Sequence, residues 1–143
     1  MKKIFNLLSV LILLTITNVH ALSIAEAGDS VNQTGEYDST RIVAGNTVTN
    51  KADVDGLSII AGNNITLEGS APYGFYAGNI IKINEIIEKD MFVAGNDITI
   101  GNDAIIGRDV FIAGNLIKIN ANITRDLRVG GSSVDIRGIT IGG

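Results

Sequence analysis

A three-residue corner returns at near-constant intervals along this chain and restricts what it can fold into. The corner reads Ala44-Gly45-Asn46, Ala61-Gly62-Asn63, Ala77-Gly78-Asn79, Ala94-Gly95-Asn96 and Ala113-Gly114-Asn115, with Gly130-Gly131-Ser132 as a variant sixth copy. The spacings are 17, 16, 17, 19 and 17 residues. A fixed period of this length marks a solenoid, in which each repeat is one supersecondary unit that buries its apolar side only by stacking on its neighbours.

The residues around each corner say which kind of solenoid. Four positions after the first corner residue stand Val48, Ile65, Ile81, Ile98, Ile117 and Val134, and six positions after it Asn50, Leu67, Ile83, Ile100, Ile119 and Ile136. Residues two apart share one side of a strand, so these columns face inward and Thr49, Thr66, Lys82, Thr99, Lys118 and Asp135 face outward. Val43, Ile60, Tyr76, Val93, Ile112 and Val129 form another inward column just before the corner, and Val54, Ala71, Ile87, Ile105, Ile123 and Ile139 supply a third short strand. The period of two, the β-branched residues and the recurrent Gly argue against helices. The expectation is an all-β chain forming a right-handed parallel β-helix of about six turns of roughly 17 residues, a rod on the order of 29 Å long at ~4.8 Å per turn. A six-residue rhythm at Ile100-Gly101, Ile106-Gly107 and Ile112-Ala113 suggests a left-handed hexapeptide helix, but Lys118, Thr124 and Gly130 break it, and the right-handed crossover is the general preference.

The corner itself has a predicted chemistry. Gly45, Gly62, Gly78, Gly95, Gly114 and Gly131 are expected to supply positive φ at a sharp bend. Asn46, Asn63, Asn79, Asn96 and Asn115 are expected to bond their equivalents above and below in an amide ladder. Pro72 is expected at a bend where no ladder donor is lost.

Residues 1–21 read as a secretory signal peptide. Lys2 and Lys3 precede an apolar run from Ile4 to Ile16, and Val19-His20-Ala21 supplies the cleavage pattern. The run is shorter than the ~20 residues that cross a bilayer, so no transmembrane span is expected after cleavage, and no Cys follows to take a lipid. The expected location is the periplasm or cell surface. Residues 22–40 are polar and acidic and read as a flexible lead-in, leaving 41–143 as the β-solenoid domain.

Removing the leader leaves nine Lys and Arg against 15 Asp and Glu, a net charge of −6, with no His, Cys or Trp. An acidic surface argues against nucleic acid, which needs clustered cations. Without Cys, stability comes from packing and backbone hydrogen bonds rather than disulfides. Hexapeptide acyltransferases rely on a His base, and His or Cys metal sites need residues the mature chain lacks. The calcium-binding nonapeptide pattern is missing too. Asp53 with Asp55, or Asp103 with Asp109, read as charged turns rather than cation ligands. Glu88-Lys89-Asp90, Arg108-Asp109 and Arg125-Asp126 read as a solvated edge with modest ion pairing. No catalytic residue, cofactor or metal is expected, and the chain does not read as an enzyme.

The units GRDVFIAGNLIKINANITRD and RDLRVGGSSVDIRGITIGG resemble those of bactofilins, the polymer-forming cytoskeletal proteins of bacteria, over about residues 41 to 143. The resemblance implies a nucleotide-independent scaffold that assembles with itself, end to end, into filaments or sheets. Members of the cytoskeletal kind are cytoplasmic and membrane-associated, so a signal peptide makes this chain an exported relative, with an envelope component as a further partner.

The end of a solenoid is an open strand edge ready to receive another chain. The last turn, with Val129, Val134, Ile136, Ile139 and Ile141, is expected to stack on an equivalent turn of another copy unless Arg128, Asp135 and Arg137 blunt it. Phe75, Phe92 and Phe111 stand two residues before the corner, alongside Ile42, Ile59 and Arg128. They either form an outward aromatic stripe for lateral association or pack inside a wall that bends there. The function expected is a self-assembling structural protein of the cell envelope; the alternative is an exported, adhesin-like binding module that uses one solenoid face for a glycan or protein.

Overall fold

Strict alternation of apolar and polar residues, punctuated by small residues at corners, produces coils of short strands whose inner faces meet in the middle. The computed structural model describes residues 25–137 and 140–141. Seven long strands each open one coil: β1 (Ala25–Tyr37), β2 (Arg41–Val54), β3 (Leu57–Leu67), β5 (Tyr73–Ile83), β7 (Met91–Ile100), β9 (Val110–Ile119) and β11 (Leu127–Ile136). Short strands close them: β4 (Ser70–Ala71), β6 (Ile86–Ile87), β8 (Ile105–Ile106), β10 (Asn122–Ile123) and β12 (Thr140–Ile141). All pairings are parallel and each strand pairs with its equivalent one turn away. The fold is a right-handed parallel β-helix of about seven turns of ~17 residues.

The seventh turn corrects the flexible lead-in expected over 22–40, from Ala25 onward. Strand β1 lies in register on β2, with Gly28 beside Gly45 and Val31 beside Val48. Ala27-Gly28-Asp29 is the corner of this first turn, 17 residues before Ala44, with Asp in place of Asn. Acidic composition concealed the pattern, because only Val31 fills an inward position with an aliphatic group.

The inward columns form a continuous core. Val48, Ile65, Ile81, Ile98 and Ile117 stack through the centre, each no more than 1% exposed. Burying each Ile contributes roughly 1.5–3 kcal/mol relative to leaving it in water. The third-strand column needs two corrections. Ile106, not Ile105, continues the buried line of Ala71 and Ile87, while Ile105 is 46% exposed. Its partner in the last turn is Ile141 rather than Ile139, since Ile141 pairs with Ile123; Ile139 lies outside the described residues. The two-residue insertion at Asn102-Asp103 in the 19-residue repeat moves the column to Ile106, and one extra residue between Ile136 and Ile141 moves it to Ile141.

The corners work differently from expectation. None of the corner glycines has positive φ; among the described residues only Gly35 does, at 95°. The cause of the Gly column is crowding between turns. A Cβ at Gly62 would lie 2.5 Å from the carbonyl oxygen of Gly45, and one at Gly95 2.6 Å from that of Gly78. Contacts that short are sterically forbidden, so the column stays Gly because each turn's backbone lies against the next. The Asn column does not form the expected amide ladder: Asn46, Asn63, Asn79, Asn96 and Asn115 are exposed and no hydrogen bond joins their side chains. Pairing skips this position in every turn, from Gly45 and Gly62 directly to Thr47 and Asn64, because the chain bends there and carries the side chain outward. Pro72 sits at a bend as expected, and its carbonyl accepts the Lys89 N–H at 3.0 Å.

Candidate functional site

Three regions depart from a plain aliphatic rod: its last turn, one outer face and part of its interior. In the last turn, alternation still points Val129, Val134 and Ile136 toward the core, but β11 has a neighbour on one side only among the described residues. Val134 and Ile136 are therefore 42% and 43% exposed, whereas Ile117 and Ile119 one turn earlier are fully buried. The structure thus groups three of the five predicted end residues; the side chains of Ile139 and Ile141 lie outside the description. The charges expected to blunt this edge pair locally, two residues apart along the chain: Arg137 with Asp135 at 2.9 Å and Arg128 with Asp126 at 3.3 Å.

The outer face resolves the two readings of the aromatic column. Phe75 and Phe92 are 36% and 38% exposed and Phe111 is half-buried, so the rings stand outside the wall. They stack face to face in succession, with centroids 5.0 and 4.7 Å apart and planes within 6°. Parallel in-register pairing imposes this, since equivalent side chains on adjacent strands repeat at the strand spacing. Arg128 continues the ladder with its guanidinium 5.0 Å from the Phe111 centroid. Beside the rings runs a trough of about 650 Å³, floored by Ala61, Ala77, Ala94 and Ala113.

The interior holds a polar cluster that sequence reading did not single out. Tyr76 donates a hydrogen bond to Glu85 Oε2 at 2.6 Å, and both side chains are buried. Glu85 Oε1 has no partner; the Ser58 hydroxyl faces the Tyr76 phenol closely enough to bear on its ionisation but forms no hydrogen bond. Burial pushes the Glu85 carboxyl from 4.5 to about 7, against the Tyr76 hydrogen bond, which holds it down, with the Asp53 charge adding to the rise. Burial, then the Glu85 charge, raises the Tyr76 phenol well above its usual value. A signal was available. Glu85 occupies a column otherwise made of Ala52, Gly69, Ala104 and Ala121; Tyr76 interrupts Val and Ile; and Gly74 replaces larger residues where a Cβ would lie 2.6 Å from the Tyr76 Oη. Three exceptions in one turn compensate one another.

A second polar group fills the first turns. Arg41, 5% exposed, donates from Nε to Gln33 Oε1 at 3.1 Å and pairs with Glu26 at 3.1 Å, with its guanidinium 4.2 Å from the Tyr37 ring centroid. The charged corner is also more ordered than a solvated edge. Asp90 Oδ1 accepts the Asp109 N–H at 3.2 Å, and Asp109 Oδ1 accepts the Asp126 N–H at 3.2 Å, so each carboxylate caps the next turn. Arg125 holds Asp109 through two hydrogen bonds, one from Nε at 2.7 Å, and this lowers the Asp109 pKa while raising that of Arg125.

Asp53 accepts from Ser70 Oγ at 2.6 Å, and among the described residues no three acidic side chains converge as a metal site would require. No helix among them is long and apolar enough to cross a membrane. The chain shows no match to any family model, curated protein or solved structure compared with it.

Proposed function

We propose that this chain is a self-assembling structural scaffold of the cell envelope that polymerises end to end through its terminal turns without a nucleotide. The observation that carries the reading is the last described turn, where Val134 and Ile136 are over 40% exposed at positions that every preceding turn buries and no described strand pairs with the outer side of β11. A further coil laid on β11 extends the parallel ladder, pairs its open backbone groups and completes that burial, worth roughly 1 kcal/mol for each of the two side chains. The β11 edge, which no described residue covers, and the resemblance of residues 41 to 143 to bactofilin repeats support the same reading. Export rests on the leader at residues 1–21, which lies outside the described residues.

Sedimentation and negative-stain electron microscopy of chain lacking residues 1–21 test it. Filaments lengthening with concentration are expected, and Val134→Asp with Ile136→Asp should abolish them while retaining the β-rich circular dichroism spectrum. A strictly monomeric species at high concentration overturns the proposal. The exposed aromatic ladder favours the second reading, an exported binding module presenting one face to a glycan or protein; discrete rods that retain a ligand would establish it.

A further inference from the structure

We infer that the aromatic face pairs two copies of this chain side by side, with their rods parallel and a two-fold axis running along them. The surface is distinct from the end joint, and the inference does not depend on it. Alternation places two outward ladders on this face two residues apart: a ridge of Phe75, Phe92 and Phe111, and a trough of Ala77, Ala94 and Ala113. A two-fold along the rod reverses strand direction but preserves the height of each turn. It therefore lowers the ridge of each copy onto the trough of the other, turn by turn, as an isologous contact requires. An axis along the strands would set ridge against ridge.

Charge and hydrogen bonding agree with that operator. From the second turn on, Arg128 is the sole charged residue on the two ladders, and it already lies over Phe111 and beside Asp126. Covering the face therefore leaves no unpaired ion. The two rims differ. Past the trough stand the exposed amides of Asn63, Asn79, Asn96 and Asn115, which make no side-chain hydrogen bond among the described residues. Before the ridge stands the charged row in which Asp90 pairs with Arg108 and Asp109 with Arg125. The same two-fold brings the amide rim of one copy to the charged row of the other, giving a polar rim around an apolar centre. Five turns at ~4.8 Å by six residues at ~3.4 Å make roughly 490 Å² per copy, a total just under the ~1,000 Å² that a stable specific interface buries. The pair is weak alone and strengthens wherever copies are already aligned.

The chain has no Cys, so single-Cys variants report contacts cleanly. Ala61→Cys, Ala77→Cys, Ala94→Cys and Ala113→Cys are each treated with a bismaleimide, with Lys82→Cys on another face as control. The background carries Val134→Asp and Ile136→Asp to remove the end joint. A parallel two-fold places every Cys level with its own equivalent, about 7 Å away across the axis and within reach of a bismaleimide, so all four variants should cross-link with similar yield and the control should not. Adding Phe92→Ser should cut the yield by about tenfold or more, because symmetry deletes the ring twice. The ring is exposed, and retained circular dichroism confirms the fold. Yields no higher than the control overturn the inference, as does cross-linking confined to one turn, which signifies antiparallel packing. So does insensitivity to Phe92→Ser, or saturation of the face by a fluorescent fatty acid or an oligosaccharide with the protein still single. Failure of the end joint is separable: it removes filaments but leaves these cross-links, whereas failure of the lateral pair leaves filaments without them.

Discussion

Replacing Glu85 with Gln removes the buried carboxylate and keeps its shape. With the carboxyl at about 7 in the fold and 4.5 in the unfolded chain, the native state holds a proton over this interval that the unfolded state releases. Stability from this group is then complete below about pH 4.5, falls as pH rises and levels off above about pH 7, a total loss on the order of 3 kcal/mol. The amide resembles the protonated acid: its oxygen accepts from Tyr76, and its NH₂ takes the place of the unpartnered Oε1. Glu85→Gln should therefore match the parent within about 1 kcal/mol at pH 5 and exceed it by about 2–3 kcal/mol at pH 8, a melting difference of roughly 10 °C for a domain of this size. Thermal unfolding followed by far-UV circular dichroism at both pH values measures it. Parallel pH profiles for parent and variant, or a parent more stable at the higher pH, would refute the reasoning.

Gly95→Ala places a methyl group 2.6 Å from the Gly78 carbonyl oxygen, and the turns must separate; urea unfolding should show a loss of about 2 kcal/mol or more, whereas Gly130→Ala, whose Cβ meets nothing within 4 Å, should stay within about 0.5 kcal/mol of the parent. Asp109, held below the usual carboxylate range chiefly by its Arg125 hydrogen bonds, contributes stability present above the unfolded carboxylate pKa of about 3.9 and lost as pH falls through its lowered value. Arg125→Gln should accordingly weaken the fold near neutral pH and converge with the parent in strong acid, read from urea midpoints at the two extremes.

The turn-to-turn contacts also give the assembly proposal its physical basis. Each coil is stable because another coil covers it, and the last described coil has no such cover on β11. In the proposed lateral pair, the aromatic face would add a second, weaker direction of association at right angles to the first. The two directions together would convert single filaments into ribbons.

The repeat of the Ala-Gly-Asn corner, and the period of two on either side of it, were sufficient to determine a parallel solenoid and its main core columns. Such patterns are one-dimensional, and a parallel in-register fold translates sequence position directly into place on the rod. The first turn escaped because Gln33 and Arg41 fill its interior with polar groups, which hydropathy reads as loop. Distances between turns decided the rest. Steric closeness of backbones, invisible in a list of residues, explains the Gly column without positive φ. The direction of the wall at each corner turned the Asn side chains out and set the Phe rings in a stack on the surface. The Tyr76–Glu85 pair depends on side chains nine residues apart meeting across the interior, a juxtaposition created by the closing of the coil and by no local pattern.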